Sequence, residues 1–288
     1  MRVRRGKKSE KKLAKHFHKH FGSSPLDIAE MWFDLCHHED ELLTKKEKSE
    51  KGFLRFISAH YWLWSKPKNA ESMASRLGVS VDYCYGERLW KWIRLITKLL
   101  PKKIYWDPSL DAADTEIFAI TTDGVDFKLW ERQDPDFPYD PKNMSHKFKS
   151  CGAKYIIALS TYRSKCVFIE GPYRGGKHDL DMFRESGLMQ KMKESGKVVI
   201  ADRGFRSKLV SEQKHFATPD YMDDQELHNM KSRARLRQET FNRRLKHFEA
   251  LASTWNLAFE KHGIALRAIA TIVQYQMDNG SPLYCVYS

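Results

Sequence analysis

Three carboxylates in the last two-thirds of the chain suit chemistry at phosphorus. Asp123 ends the run Ile-Phe-Ala-Ile-Thr-Thr, Asp202 ends the run Val-Val-Ile-Ala, and Glu239 lies in a basic stretch with no helix breaker. We therefore expect two acids at strand ends and one on a helix. Such acids can meet around two hard divalent cations, which bind oxygen ligands and clamp the attacking and leaving oxygens of an in-line displacement.

Each acid also has a simpler structural interpretation. Asp123-Gly124 between two β-type runs is a signal for a hairpin turn. Asp202 is placed to cap a helix that follows its strand. Glu239 has arginines four residues away on either side, at 235 and 243, and a solvated ion pair explains it equally well. The acids indicate a site only in combination.

Their order and surroundings resemble those of the DDE transposases and integrases. Asp202-Arg-Gly-Phe205 resembles the Asp-x-Gly-Tyr/Phe element around the second aspartate of insertion-sequence and Harbinger-type transposases. Arg235-x3-Glu239-x6-Lys246 resembles their Tyr-x2-Arg-x3-Glu-x6-Lys signature, with Ser232 at the tyrosine position. The resemblance covers roughly residues 110–275.

A further element makes Asp179 an alternative to Asp202 as the second metal ligand. The segment 175–183 resembles the Gly-x-x-x-Asp-x-x-x-Phe element found between the first two acids of Harbinger-like proteins. Because Asp179 precedes a helical pattern, where an aspartate commonly caps, we rank Asp202 first.

The resemblance implies a DNA endonuclease and strand transferase. Its catalytic and metal-binding residues would be Asp123, Asp202 and Glu239, holding two Mg²⁺ ions for which Mn²⁺ can substitute. Its partners would be transposon ends and target DNA, with a homo-oligomer as the acting form and no small-molecule cofactor. Two alternatives remain open: a domesticated transposase-derived protein that binds DNA without catalysis, and a metal-dependent hydrolase of nucleotides or RNA.

Composition favours a polyanionic partner. The formal net charge is +13, and the five cysteines are scattered without metal-binding spacing. No apolar run approaches the roughly 18 residues that span a bilayer, so we expect an intracellular protein without a membrane partner, nuclear if its source is eukaryotic. The basic run 1–15 fits a nuclear-localisation signal or a DNA-gripping arm, and equally a solvated tail.

The N-terminal part predicts a helical domain with a helix-turn-helix. Helical periodicity extends from Ser24 to about Trp64. Asn69 can cap a helix that stops at Gly78, and a second helix is expected from about Asp82 to Leu100. We predict that Tyr83, Arg88 and Lys91 of that second helix contact DNA. An αα-hairpin that packs on the next domain fits the same pattern.

We expect a basic tail at 1–22, the helical domain at 23–105 and, at 106–288, an α/β domain with a mixed sheet, which the resemblance implies is ribonuclease-H-like. Apolar runs predict strands at 116–121, 125–130, 154–159, 165–170 and 197–201, and helical patterns cover 180–193, 224–252 and 259–275.

Cations and aromatic rings near the acids predict DNA contacts. Arg235, Arg243 and Lys246 share a helix face with Glu239 and are expected to hold phosphates, whereas Arg237 and Arg244 project elsewhere as surface charges. Between the first two acids, aromatic residues alternate with cations, which fits a groove for distorted DNA ends and equally a core hairpin with a solvated loop; these are Trp130, Phe137, Tyr139 and Phe148 with Arg132, Lys142, His146, Lys147 and Lys149.

Overall fold

The computed structural model describes residues 2–111, 117–131, 140–220 and 222–287, with the backbone alone for residues 2–9 and 11. The chain forms two compact units. A helical unit contains residues 1–103, 245–252 and 264–281, and an α/β unit contains residues 104–244, 253–263 and 282–288. No helix in the described ranges is long and apolar enough to cross a membrane.

Six helices form the N-terminal part of the helical unit: α1 (Arg2–Phe21), α2 (Pro25–Cys36), α3 (Glu50–Ser65), α4 (Ala70–Leu77), α5 (Gly86–Lys98) and α6 (Leu100–Lys103). Ser24 and Asp27 form a capping box at the start of α2, and Ser49 caps α3. The predicted helical stretch from Ser24 to Trp64 is therefore two helices, because a second cap starts a new one.

The segment predicted to form a helix-turn-helix matches the expected pattern in its first helix and differs in its second. Asn69 caps α4, and Gly78 ends it in the left-handed conformation at φ 65°. Residues 81–84 then form a separate 3₁₀ turn, and extended Tyr85 precedes α5, which begins at Gly86 rather than at Asp82. Helix α5 ends at Lys98, and Pro101 lies in the first turn of α6, where its missing N–H costs nothing.

The α/β unit contains a mixed sheet of six strands: β1 (Phe118–Lys128), β2 (Met144–Ser145), β3 (Ser150–Ser160), β4 (Cys166–Arg174), β5 (Val198–Ile200) and β6 (Phe216–Ala217). The order is β2-β3-β1-β5-β6, and β4 also pairs with β3. Pairing is antiparallel among β1, β3 and β4, and parallel from β1 through β5 to β6.

Strand β1 runs straight through Asp123-Gly124. These two residues pair with Ile157 and Ile156 of β3. The hairpin interpretation of Asp-Gly is therefore wrong, and the two strands predicted on either side of it are one. Eleven residues of β3 offer a continuous antiparallel partner, which outweighs the local turn signal.

The remaining helices are α7 (Asp179–Glu185), α8 (Leu188–Ser195), α9 (Val210–Gln213), α10 (Gln225–Leu245), α11 (Glu249–Ala252) and α12 (Phe259–Asp278). The predicted helix 180–193 is interrupted by Gly187, whose φ of 82° no helix interior accommodates. Met182 and Phe183 of α7 and Met192 of α8 join Ile156 and Val199 of the sheet in one apolar core.

Two C-terminal segments belong to the helical unit. Tyr275 donates its hydroxyl to Asp34 at 2.5 Å, and Gln276 donates to the Gly22 carbonyl at 2.7 Å. The ring of Phe248 meets that of Trp64 edge-on at 5.3 Å. The helical unit is thus discontinuous in sequence, whereas the boundaries predicted at 22/23 and 105/106 remain predictions.

Candidate active site

The parallel pairing of β1 with β5 brings two of the acids to one edge of the sheet. Thr121 of β1 is level with Ile200, the last residue of β5. Asp123 and Asp202 each lie two residues beyond this pair, so they leave the paired region at the same level. Asp123 is therefore not at the end of its own strand, as expected from sequence, but just past the end of its neighbour.

Asp123 is held in a partly buried position by helix α10. The side-chain amide of Asn242 donates to its Oδ2 at 2.8 Å. Burial, together with the negative charges of Asp179 and Asp202, raises the pKa of Asp123 to about 6, against an opposing effect from Lys147. Three aspartates thus act on one another at this edge.

Asp202 is more open to solvent. Its side chain accepts from the Gly204 amide and caps the 3₁₀ turn Arg203–Phe205, so the cap interpretation is correct for this residue. The carboxylate is 50% exposed, and the guanidinium of Arg235 on α10 lies 3.8 Å from its Oδ2. Capping uses one oxygen and leaves the other able to bind a ligand.

Asp179 is the third member of the group. It is the first residue of α7, but the N-cap position belongs to His178, which forms no side-chain capping bond. Instead the Asp179 carboxylate accepts from Lys154 of β3 at 2.8 Å. The reason for ranking it below Asp202, that it caps a helix, is therefore wrong.

Glu239 lies on α10 between two residues that contact the other acids, four positions after Arg235 and three before Asn242. Its side chain is exposed, and within the described ranges it forms no ion pair. It is not among the groups that shift the pKa of Asp123. Among described residues, no group of three His, Cys, Asp or Glu side chains is arranged to hold a metal ion.

The cations predicted to hold DNA occupy varied positions. Arg243 is exposed on α10, and Lys246 lies one residue past the end of that helix, so it does not continue the face of Glu239. Arg237 is 1% exposed and donates to the carbonyls of Thr161 and Arg163. The prediction that Arg237 is a surface charge is therefore wrong, because this side of α10 packs on the turn between β3 and β4.

In the helical unit, the three residues predicted to contact DNA already have protein partners. Tyr83 lies in the 3₁₀ turn rather than on α5, with Arg55 over its ring at 5.2 Å. Arg88 pairs with Asp82 at 2.9 Å, and Lys91 pairs with Glu47. DNA contact by either cation would require exchange of a carboxylate for a phosphate.

The aromatic and cationic segment between the first two acids is described only in part. Trp130 is 59% exposed and Phe148 half-buried. Arg132, Phe137 and Tyr139 lie outside the described residues. Lys147 is the member whose charge reaches Asp123.

Sequence reasoning missed Asn242 and Lys154. A signal for Asn242 was present, since a residue three positions after Glu239 shares its helix face. Lys154 gave none: it is 9% exposed in the middle of β3, and its role depends on a helix that begins 25 residues later.

Comparison with known proteins assigns the chain to a family. No curated protein and no solved structure matches it. The family described as DDE superfamily endonuclease matches residues 123–275, which is just over half of the chain and begins at Asp123 itself. The match also contains the other two predicted acids. This chain belongs to the DDE superfamily endonucleases.

Proposed function

We propose that this protein is a transposase-type endonuclease that hydrolyses and transfers DNA phosphodiester bonds. The observation that carries the proposal is the parallel register of β1 and β5, which sets Asp123 and Asp202 level with each other in a chain of the DDE endonuclease family. We infer further that the sheet is ribonuclease-H-like, on the support of three antiparallel strands continued by two parallel ones.

The donor atoms fit hard divalent cations. Asp123, Asp202 and Glu239 offer carboxylate oxygens, which Mg²⁺ prefers and Mn²⁺ accepts. Burial and the charges of Asp179 and Asp202 raise the pKa of Asp123. A bound cation would offset this repulsion among the carboxylates. When bound, two such ions would supply an activated water and stabilise the leaving 3′-oxygen.

The protein's own side chains orient the acids and hold the substrate. Asn242 fixes the Asp123 carboxylate through its 2.8 Å hydrogen bond. Arg235 and Arg243 bind DNA phosphates near the acids, and Lys246, Tyr83, Arg88 and Lys91 contact DNA from the helical unit. Such contacts neutralise phosphates without reading sequence.

The proposed partners are transposon ends and target DNA, engaged by a homo-oligomer. Joining needs no external energy, because one phosphodiester replaces another. In a eukaryotic source the protein would act in the nucleus.

A second candidate is a domesticated DNA-binding protein without catalytic activity. The observation that favours it is the exposed Glu239, which forms no ion pair in the described ranges, together with the lack of a three-residue metal group there. The two candidates differ in whether Glu239 takes part in DNA cleavage.

Nicking of supercoiled plasmid in Mg²⁺ or Mn²⁺ separates the candidates. We expect Glu239→Gln to bind DNA normally and to lose metal-dependent nicking. Glu226→Gln, exposed in the first turn of the same helix, is the matched control and should retain both. Nicking by Glu239→Gln at the wild-type rate would remove Glu239 from the site, and a wild type that binds DNA but never nicks it would favour the binding protein.

A further inference from the structure

The Asp179 side chain is fixed by a lysine that is itself nearly buried. Lys154 is 11% exposed in its side chain and donates to Asp179 Oδ1 at 2.8 Å and to the Lys177 carbonyl at 2.9 Å. It also lies 4.0 Å from Asp126, a buried carboxylate on β1. A buried ammonium held on several sides has little freedom, so the carboxylate it binds is fixed as well.

Two glycines let the Asp179 carboxylate approach the segments that carry the other two acids. A Cβ at Gly124, directly after Asp123, would lie 2.3 Å from Asp179 Oδ1. A Cβ at Gly204 would lie 3.2 Å from Asp179 Oδ2 and 3.2 Å from Asp202 Oδ1. Asp179 therefore lies between strand β1 and the turn that Asp202 caps, and its Oδ2 is no farther from Asp202 Oδ1 than twice 3.2 Å.

The position of Asp179 between two other carboxylates requires a positive charge nearby. Three carboxylates at one sheet edge repel one another, and a neighbouring ammonium offsets one of the three charges. Lys154, nearly buried on β3, supplies this charge through its hydrogen bond to Asp179 Oδ1.

We propose that Asp179, held by Lys154, is a positioning residue that sets the spacing between Asp123 on β1 and Asp202 after β5. The inference rests on the proposed function, in which those two acids hold the cations. Asp179 acts through the backbone at Gly124 and Gly204, without contributing an oxygen to the cations.

The test measures Mn²⁺ affinity of the full-length protein by calorimetry, beside plasmid nicking at saturating Mn²⁺. Asp179→Asn and Lys154→Met should each weaken Mn²⁺ binding by about tenfold, as loss of a residue that orients metal ligands does. The double variant should be no weaker than either single variant, because the two residues act as one unit. Asp181→Asn, an exposed acid two residues further along α7, is the matched control and should bind as the wild type.

A steric variant tests this position of Asp179 without removing a charge. Gly124→Ala should lower Mn²⁺ affinity where Asp179 is present and should add little to Asp179→Ala. The two closest contacts of that Cβ, at 2.3 and 2.8 Å, are both with Asp179, and the next, at 3.3 Å, is with the flexible end of Met182. Circular dichroism confirms that each variant is folded.

Two results would overturn the proposal: loss of Mn²⁺ binding in Asp179→Asn with a normal Lys154→Met, which would make Asp179 a direct ligand, or wild-type affinity in both. A wild type that binds Mn²⁺ but does not nick DNA contradicts the proposed function alone, since the variant affinities still decide the positioning role. A wild type that binds no Mn²⁺ contradicts both.

Discussion

At the scale of single residues, Asn242 is the side chain that orients Asp123. Replacement by leucine keeps a similar volume but removes the N–H that Asp123 Oδ2 accepts at 2.8 Å. We expect metal-dependent nicking to fall by about 10–100-fold, since partners that orient metal ligands have effects of this size. Initial nicking rates over a range of Mn²⁺ concentrations measure it.

Thr240→Val is the control for that variant, because the Thr240 hydroxyl donates within the same helix to the Leu236 carbonyl and forms no hydrogen bond to an acid among the described residues. Equal rates for Asn242→Leu and Thr240→Val would show that Asp123 needs no support from α10.

A second residue-scale prediction concerns His60, which is fully buried in the helical unit. Its Nε2 lies 2.9 Å from the Phe21 carbonyl, and burial lowers its pKa from 6.5 to about 4. Because the unfolded chain then binds more protons than the folded one between those values, the free energy of unfolding falls as pH drops through this window, by up to about 3 kcal/mol. Above pH 6.5 this group adds no pH dependence.

Urea unfolding at pH 7, 6 and 5 tests the effect, with His60→Gln as the comparison. Glutamine retains an N–H for the Phe21 carbonyl but does not titrate, so its stability should vary less over this range. An identical pH dependence in both proteins would contradict the assignment to His60.

At the scale of secondary-structure elements, Arg237 joins α10 to the turn between β3 and β4. It donates to two carbonyls there, those of Thr161 and Arg163. Arg237→Leu should lower the free energy of unfolding by about 2–4 kcal/mol, because the buried Thr161 carbonyl and the part-buried Arg163 carbonyl lose a charged donor. The exposed Arg233 on the same helix is the control, and its leucine variant should unfold almost as the wild type. A similar loss in both variants would mean that Arg237 only contributes helix propensity.

Local sequence signals predict a helix well where residues at its two ends cap its backbone. Asn69 and Gly78 mark the limits of α4 because a side-chain cap and a left-handed glycine act within one turn. Asp123-Gly124 is the opposite case, since only its pairing with Ile157 and Ile156 overrides the hairpin signal. Sequence likewise could not tell which side of α10 is buried, so Arg237 was misassigned.

In the candidate site too, residues with a local sequence signal could be predicted and tertiary contacts could not. Asp123 and Asp202 could be found because each ends an apolar run, and the family match includes both. The contact of Asp179 with Lys154 could not be predicted, because it joins a strand to a helix that begins 25 residues later. It also depends on two glycines whose missing side chains leave room for the carboxylate.

At the scale of the whole molecule, the sequence could not predict that residues 245–252 and 264–281 belong to the unit formed by the N-terminal helices. An apolar helix face indicates that the face is buried but does not specify which element it packs against. The family match at 123–275 therefore includes residues from both compact units.

The net charge of +13 predicts DNA binding that weakens steeply with salt. Lys246→Gln should reduce affinity about equally for all DNA sequences and flatten the slope of log affinity against log salt by roughly one unit. Fluorescence anisotropy at several salt concentrations measures this slope, with the exposed Lys214→Gln as the control. An unchanged slope would remove Lys246 from the DNA interface.

The most direct test of the central claim is nicking of supercoiled plasmid by the wild type and by Asp202→Asn, in Mg²⁺, in Mn²⁺ and in chelator. We expect nicking by the wild type that requires the metal and is absent in Asp202→Asn, which still binds DNA. Metal-dependent nicking that persists in Asp202→Asn would contradict the placement of the active site beside β1 and β5.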